Sequence, residues 1–188
     1  MGASGKDSFA KGLVKGIVNV FAGGLPMVDE QLERAARTTT DTVAASPGSS
    51  GGIQTVEVVP PAPRDLVITY APDRDGEPDA GEVVWTWVPY AENDGRGKDR
   101  PVLVIAHQDA ERVYAVKLTS KSHDGDRDFL FVGPGEWDSA GRPSWADLDQ
   151  VYSVHVEGMR REASALDAQR FAVVAQALQA RHGWAVDV

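Results

Sequence analysis

The stretch that decides the fold is RGKDRPVLVIA, residues 96–106. A loop rich in charge and glycine gives way, at Arg100-Pro101, to an unbroken run of branched apolar residues. Such a run, short and bounded by turn signals, describes a strand buried on both faces. Pro101 suits the first position of that strand, where a missing N–H is tolerated. Arg100 then has two readings. In one the charges solvate a turn and the strand simply begins; in the other a guanidinium is held at a barrel rim because an anion binds there.

Working outward, similar strands lie on both sides. EVVWTWV (82–88) alternates and is rich in β-branched and aromatic residues, and PYAENDGRGKD (89–99) forms a long polar loop after it. VYAVKLTS (113–120), DFLFVG (128–133) and QVYSVHV (150–156) follow, each set off by turn residues. Short strands in this rhythm predict a small antiparallel barrel. SALDAQRFAVVAQALQARHG (164–183) changes the period to a helix. Leu166, Phe171, Val174 and Leu178 make its apolar stripe, Ser164 and Asp167 have capping-box-like spacing, and Gly183 is a natural stop. The fold class expected is mainly β with a C-terminal helix.

The rest of the chain reads differently. It has 188 residues, 42% of them hydrophobic, which is room for one compact domain and additions rather than two large domains. Only Phe9, Phe21 and Tyr70 among the aromatic residues precede residue 81, so the core belongs to the C-terminal part. Residues 8–22 gather Phe9, Leu13, Ile17, Val20 and Phe21 on one helical face, with Lys11 and Lys15 off it. That pattern suits a membrane-surface or partner-docking helix. Gly12 and Gly16 each cost about 1 kcal/mol there, which tips the reading toward a weakly helical tail. A second short helical pattern covers 28–37. The Ser/Thr/Gly/Pro-rich stretch 38–63 reads as a linker, and DLVITY (65–70) as a short strand. The expected division is an N-terminal extension over 1–40, largely disordered or weakly helical, a flexible linker and lead-in over 41–80, and the barrel domain over 81–188.

Net charge is −9, with 7 basic and 11 acidic groups in residues 1–80 and 12 and 17 in residues 81–188. Such a chain does not coat nucleic acid nonspecifically, so any RNA would need a local basic groove. There is no cysteine, which removes disulfides, thiolate nucleophiles and cysteine-based zinc sites. No run approaches the length of a membrane span and no leader is recognisable. A cytoplasmic protein without membrane attachment is expected.

Three short motifs carry chemistry. Arginine suits a phosphate because its planar fork donates two parallel hydrogen bonds and keeps its charge, and Pro101 fixes the backbone beside Arg100. KLTSKSH (117–123) ends a strand on Thr119 and Ser120, two hydroxyls able to hold a phosphate or a 2′-hydroxyl, with Lys121 adding a cation. WADLDQV (145–151) carries Asp147 and Asp149, either able to act as a general base. Taken singly, each motif is more simply a strand beginning, a strand end or a pair of solvated turn acids. His107, His123, His155 and His182 lack metal-ligand spacing, and neither a phosphate-binding glycine loop nor a Gly-x-Ser-x-Gly elbow is present. No metal and no cofactor are expected.

The order of the motifs says more than any one of them. GEVVWTWV, then KDRPVLVI, then VKLTSK, then ADLDQV and a C-terminal helix together resemble the MazF/PemK family of toxins from bacterial toxin–antitoxin systems, over roughly residues 81–183. The family pattern has a Gly-Asp/Glu-x-x-Trp opening strand, an Arg-Pro after the first long loop, a Thr-Ser or Thr-Thr ending the third strand, and a later Asp-Gln-Val. The resemblance implies a small SH3-like antiparallel barrel of the CcdB/MazF kind, usually a homodimer. It implies a metal-independent endoribonuclease that cuts single-stranded RNA at short sequences through 2′-hydroxyl attack.

On this chain Arg100 falls where the family has a catalytic arginine, Thr119 where it has a catalytic threonine with Ser120 in support, and Asp149 where some members have a proposed base. Asp147 stands where some members carry an arginine. Lys98, Lys121, Trp87 and Trp145 would contact the RNA, the tryptophans by base stacking, and the loop 89–99 would border the groove. A small antitoxin protein is the implied partner. The reading from another class is a catalytically inactive barrel serving as a protein- or nucleic-acid-binding module, since fold alone does not fix function.

Overall fold

A computed structural model of the chain describes residues 51–188 apart from 74, 75 and 93. The helical patterns at 8–22 and 28–37 and the start of the linker lie outside the described residues. Among those described, the strands are β1 (Val56–Val58), β2 (Val67–Thr69), β3 (Glu82–Pro89), β4 (Gly97–His107), β5 (Arg112–Thr119), β6 (Phe129–Gly133), β7 (Ser144–His155), β8 (Met159–Ala165) and β9 (Ala185–Asp187). One α-helix, α1 (Ala168–His182), precedes β9.

Seven strands form one antiparallel sheet in the order β1-β7-β5-β4-β3-β8, with β6 pairing beside the first half of β7 and β1 beside its second half. β2 and β9 form a separate parallel pair. The apolar run of β4 is buried throughout from Val102 to Ala106, as a strand covered on both faces must be. Val102 and Val104 face one cluster with Val84, Val113, Tyr152 and Val154. Leu103 and Ile105 face the other, larger cluster, which α1 closes with Phe171, Val174 and Leu178.

The helix begins later than its sequence signature suggested. Ser164 is buried in β8 opposite Val83, and the N-cap is Asp167, whose side chain accepts from the Arg170 amide. Gly183 caps the other end at φ +77°, a left-handed conformation that glycine adopts without strain.

Two expectations need correction. The sheet is not closed into a barrel: it ends on β1 and β8, and among the described residues no ladder joins them. A hydroxyl chain spans the gap instead. Thr86 in β3 donates to the Gly158 carbonyl at 2.7 Å, which uses its one proton, so the 2.6 Å contact with Thr55 is Thr55 donating to Thr86. The described part of the linker and lead-in is also built into the fold. β1 lies on β7, the strand expected over DLVITY is β2, and Leu66 and Ile68 are core residues.

Candidate active site

Arg100 sits in β4 opposite Thr86 of β3. The β4–β5 ladder sets Val102 opposite Lys117, and continuing that register by two places brings Arg100 across from Thr119, the last residue of β5. Strand alternation puts both on the same face of the sheet as Val102 and Lys117. A cavity of about 160 Å³ opens at this point, lined by Arg100, Thr119, Ser120 and Lys98 together with Trp85, Asp99 and the loop residues Asp138 and Arg142. Residues separated by some twenty positions in sequence are thus neighbours because two strands run antiparallel.

The electrostatics favour an anion. Asp99 is tied to Arg160 at 3.0 Å and Asp138 to Arg142 at 2.8 Å. Arg100, half-buried, and Lys98, exposed, have no ion-pair partner among the described residues. The Thr119 hydroxyl oxygen accepts from the Lys121 amide at 3.2 Å, which leaves its O–H free to donate. Burial alone would raise the Asp138 carboxyl, but hydrogen bonds from Arg142 and the Ala140 amide outweigh it and hold the group below the ordinary carboxylate range. Asp138 is therefore ionised at neutral pH. Two buried atoms at the cavity residues, Trp85 Nε1 and Asp99 Oδ1, have no hydrogen-bond partner among the described residues.

The other sequence candidates lie elsewhere. Asp149 does not line the cavity; its carboxylate accepts from Arg181 of α1 at 2.5 Å. Asp147 is buried, not a solvated turn acid: it takes Lys117 Nζ at 3.1 Å and the amides of Asp149 and Gln150. Both carboxylates are thus neutralised by cations from other elements. Trp145 pairs with Thr119 across β5 and β7 but is buried with its ring edge-on to Phe131, so it offers no face to a base. Trp87 lines a different cavity, of about 260 Å³, with Thr55, Glu57 and Arg96. Gly97 leaves room for that indole, since a Cβ there would lie 2.6 Å from Trp87 Nε1. Lys121 is exposed and meets Thr119 only through its amide.

Sequence reasoning missed Asp138 and Arg142. The signal was present as an acid–arginine pair four apart, beside a tryptophan and with a glycine between its members, but its neighbours in space are set by packing rather than by a motif.

A family model described as the PemK-like, MazF-like toxin of type II toxin–antitoxin systems matches residues 79–181, a span that contains every residue of the Arg100 cavity. The chain belongs to that family. No curated protein matches the chain closely enough to count as a relative. Among solved structures, this toxin-family chain is similar to MazE–MazF from Deinococcus radiodurans in two crystal forms. One is 23% identical with a TM-score of 0.44, covering 56% of this chain and 96% of that one. The other is 21% identical with a TM-score of 0.43, covering 57% and 98%. MazF alone from the same organism gives 21% identity, a TM-score of 0.43 and coverage of 56% and 96%. Among the described residues no helix is long and apolar enough to cross a membrane.

Proposed function

We propose that the chain is a sequence-selective endoribonuclease that cleaves single-stranded RNA by attack of the substrate's own 2′-hydroxyl on the adjacent phosphodiester. The observation that carries this is the meeting of Arg100, without an ion-pair partner among the described residues, with Thr119 and Ser120 in one cavity. Charge builds on the phosphoryl oxygens as the 2′-oxygen bonds to phosphorus. A guanidinium already in place stabilises that charge without reorganising, the largest single contribution such a site can make. Thr119 and Ser120 supply short hydroxyl donors that fix the phosphate and the sugar. As the P–O2′ bond forms, the 2′-hydroxyl gives its proton to water, and the 5′-oxygen takes one from water as the P–O5′ bond breaks, giving a 2′,3′-cyclic phosphate and a 5′-hydroxyl. Arg100 supplies the cationic help on the phosphoryl oxygens that a metal ion would otherwise give, so the proposed reaction is metal-independent. Asp149 is not assigned the base, because Arg181 holds its carboxylate outside the cavity.

The natural partner on this reading is a small antitoxin protein. Lys98 and Arg100 make a cationic spot on a chain whose net charge is −9, and an acidic peptide segment laid there would block the same atoms that bind phosphate. A homodimer is part of the same reading.

The test is incubation of the purified chain with a long unstructured RNA in EDTA, mapping the ends, beside Arg100→Ala. Discrete cuts with 5′-hydroxyl ends are expected, slowed by about 10²–10³ in the variant. A folded wild type that leaves the RNA intact would show instead a non-catalytic binding domain on this sheet. Equal cutting by both proteins would remove Arg100 from the chemistry.

A further inference from the structure

We propose that Arg142, held by Asp138, is a second phosphate-binding arginine of this site, beside Arg100 and Lys98, supplied by the loop between β6 and β7. This rests on the reading of the Arg100 cavity as an RNA phosphate site. A phosphorane carries more negative charge than one guanidinium neutralises, and among the described residues the cavity contains one further arginine, Arg142.

The loop is constructed to hold it. Arg142 gives its Nε to Asp138 Oδ2 at 2.8 Å, and its two terminal nitrogens have no hydrogen bond among the described residues. Its side chain is 63% exposed, so ligand can reach it. Asp138 is fixed in turn: its Oδ1 accepts the Ala140 amide at 2.9 Å, and its carbonyl accepts the Gly141 amide at 2.8 Å. That turn needs φ +64° at Gly141, which glycine takes without strain.

The preceding residue anchors the loop in the core. Trp137 is 2% exposed and donates from Nε1 to Ser144 Oγ at 3.1 Å. Gly135 lies against its ring so closely that a Cβ would meet it at 2.0 Å. From α1, Arg170 lies over the same ring at 5.8 Å and donates to the carbonyls of Val132 and Pro134. The turn that carries Arg142 is thus fixed from three sides, and the side chain is tethered at Nε with its terminal nitrogens open to a ligand. That is the condition under which a fork of donors contributes to the transition state.

Asp138 is a positioning residue here, and Arg142 the group that touches substrate. The two roles separate experimentally. The full-length wild type, Arg142→Ala, Arg142→Lys and Asp138→Asn would be compared in two assays. One is single-turnover cleavage of the RNA. The other is salt-dependent binding of an oligonucleotide spanning a mapped cut, with 2′-deoxyribose at the cut so that it is not cleaved.

Arg142→Ala is expected to slow cleavage about a hundredfold and to flatten the log–log salt slope by about 0.7, the share of one phosphate contact on a single strand. Arg142→Lys restores the slope but not the rate, because a point charge lacks the fork. Asp138→Asn keeps the slope and loses about tenfold in rate, the lower end for a misplaced donor. Arg142→Ala matching wild type in both assays overturns the proposal while leaving the nuclease reading intact. A slowed Arg142→Ala with an unchanged salt slope also overturns it, since the side chain would then act only through the loop. A wild type that neither binds nor cuts RNA overturns both readings together.

Discussion

Asp147 and Asp149 are two residues apart, yet one is buried against Lys117 and the other lies at the surface against Arg181. Strand alternation alone would put two such residues on one face; the difference follows from an irregularity in β7, which sets Leu118 opposite Ala146 after Val116 opposite Val151 and leaves 147–150 out of that ladder. Lys117 also donates to Gln150 Oε1 at 2.7 Å, and the Tyr152 hydroxyl donates to the same oxygen at 3.1 Å. Burial, reinforced by the carboxylates of Glu57 and Asp147, pushes the Tyr152 phenol well above its ordinary range, with Arg100 acting weakly against it. Tyr152 is thus a neutral donor at any working pH. Lys117→Met leaves the Asp147 carboxyl 4% exposed and without its lysine partner, and is expected to cost about 3 kcal/mol, the lower end for breaking a buried pair. Asp147→Asn keeps the acceptor for two amides and leaves a lysine that is 19% exposed and partly hydrated, so it costs less. Urea unfolding of the two variants checks the order; the reverse order would mean the amide bonds, not the ion pair, hold this corner.

At the scale of elements, α1 shows how much of a boundary depends on charge. The Arg170 amide, and then its side chain, hold the Asp167 carboxyl below its ordinary value of 3.8. A carboxyl with a depressed folded pKa contributes stability that is complete above the unfolded value and is lost as pH falls through the folded one. Asparagine caps helices about as well as aspartate but carries no charge. Asp167→Asn should therefore lower the thermal midpoint near neutrality, and the gap from wild type should narrow as pH falls below 3.8. A gap independent of pH would assign the effect to cap geometry alone. The stripe of Phe171, Val174 and Leu178 and the stop at Gly183 were legible in the sequence because they are local and periodic. β8 was not, since MRREASA is a charged edge strand whose logic lies in a distant partner. Arg161 donates both bonds to the buried Glu82 carboxylate at 2.8 Å, and Glu82 is 79 residues away. Likewise Arg100 and Thr119 could be ranked from sequence by their order along the chain, whereas Arg142 reaches the cavity only through the packing of Trp137.

At the scale of the molecule, the family match begins at residue 79, yet the folded sheet begins earlier. β1 lies along β7 from Val151 to Ser153, covering an edge that would otherwise offer unpaired backbone groups to another chain. β1 has three residues and an intermediate-to-exposed pattern, too little burial to hold itself there. Polar contacts do that instead. Arg112 donates to the Gly52 carbonyl at 2.7 Å and to the Gln54 carbonyl at 3.2 Å, while Gln150 Nε2 donates to Glu57 at 3.2 Å and Thr55 donates to Thr86. Arg112 also donates to Ser153 Oγ at 3.1 Å, so one guanidinium ties the added strand to the strand it covers. Hydrogen exchange reads this directly, because a short strand on few contacts opens locally without global unfolding. Arg112→Ala should raise exchange at residues 56–58 and at the facing amides of 151–153 that they protect, while amides within α1 keep their wild-type rates. Uniform acceleration across the chain would mean that β1 opens only with the whole sheet. Unchanged exchange would mean that the hydroxyl chain through Thr55 and Thr86 suffices to hold the strand.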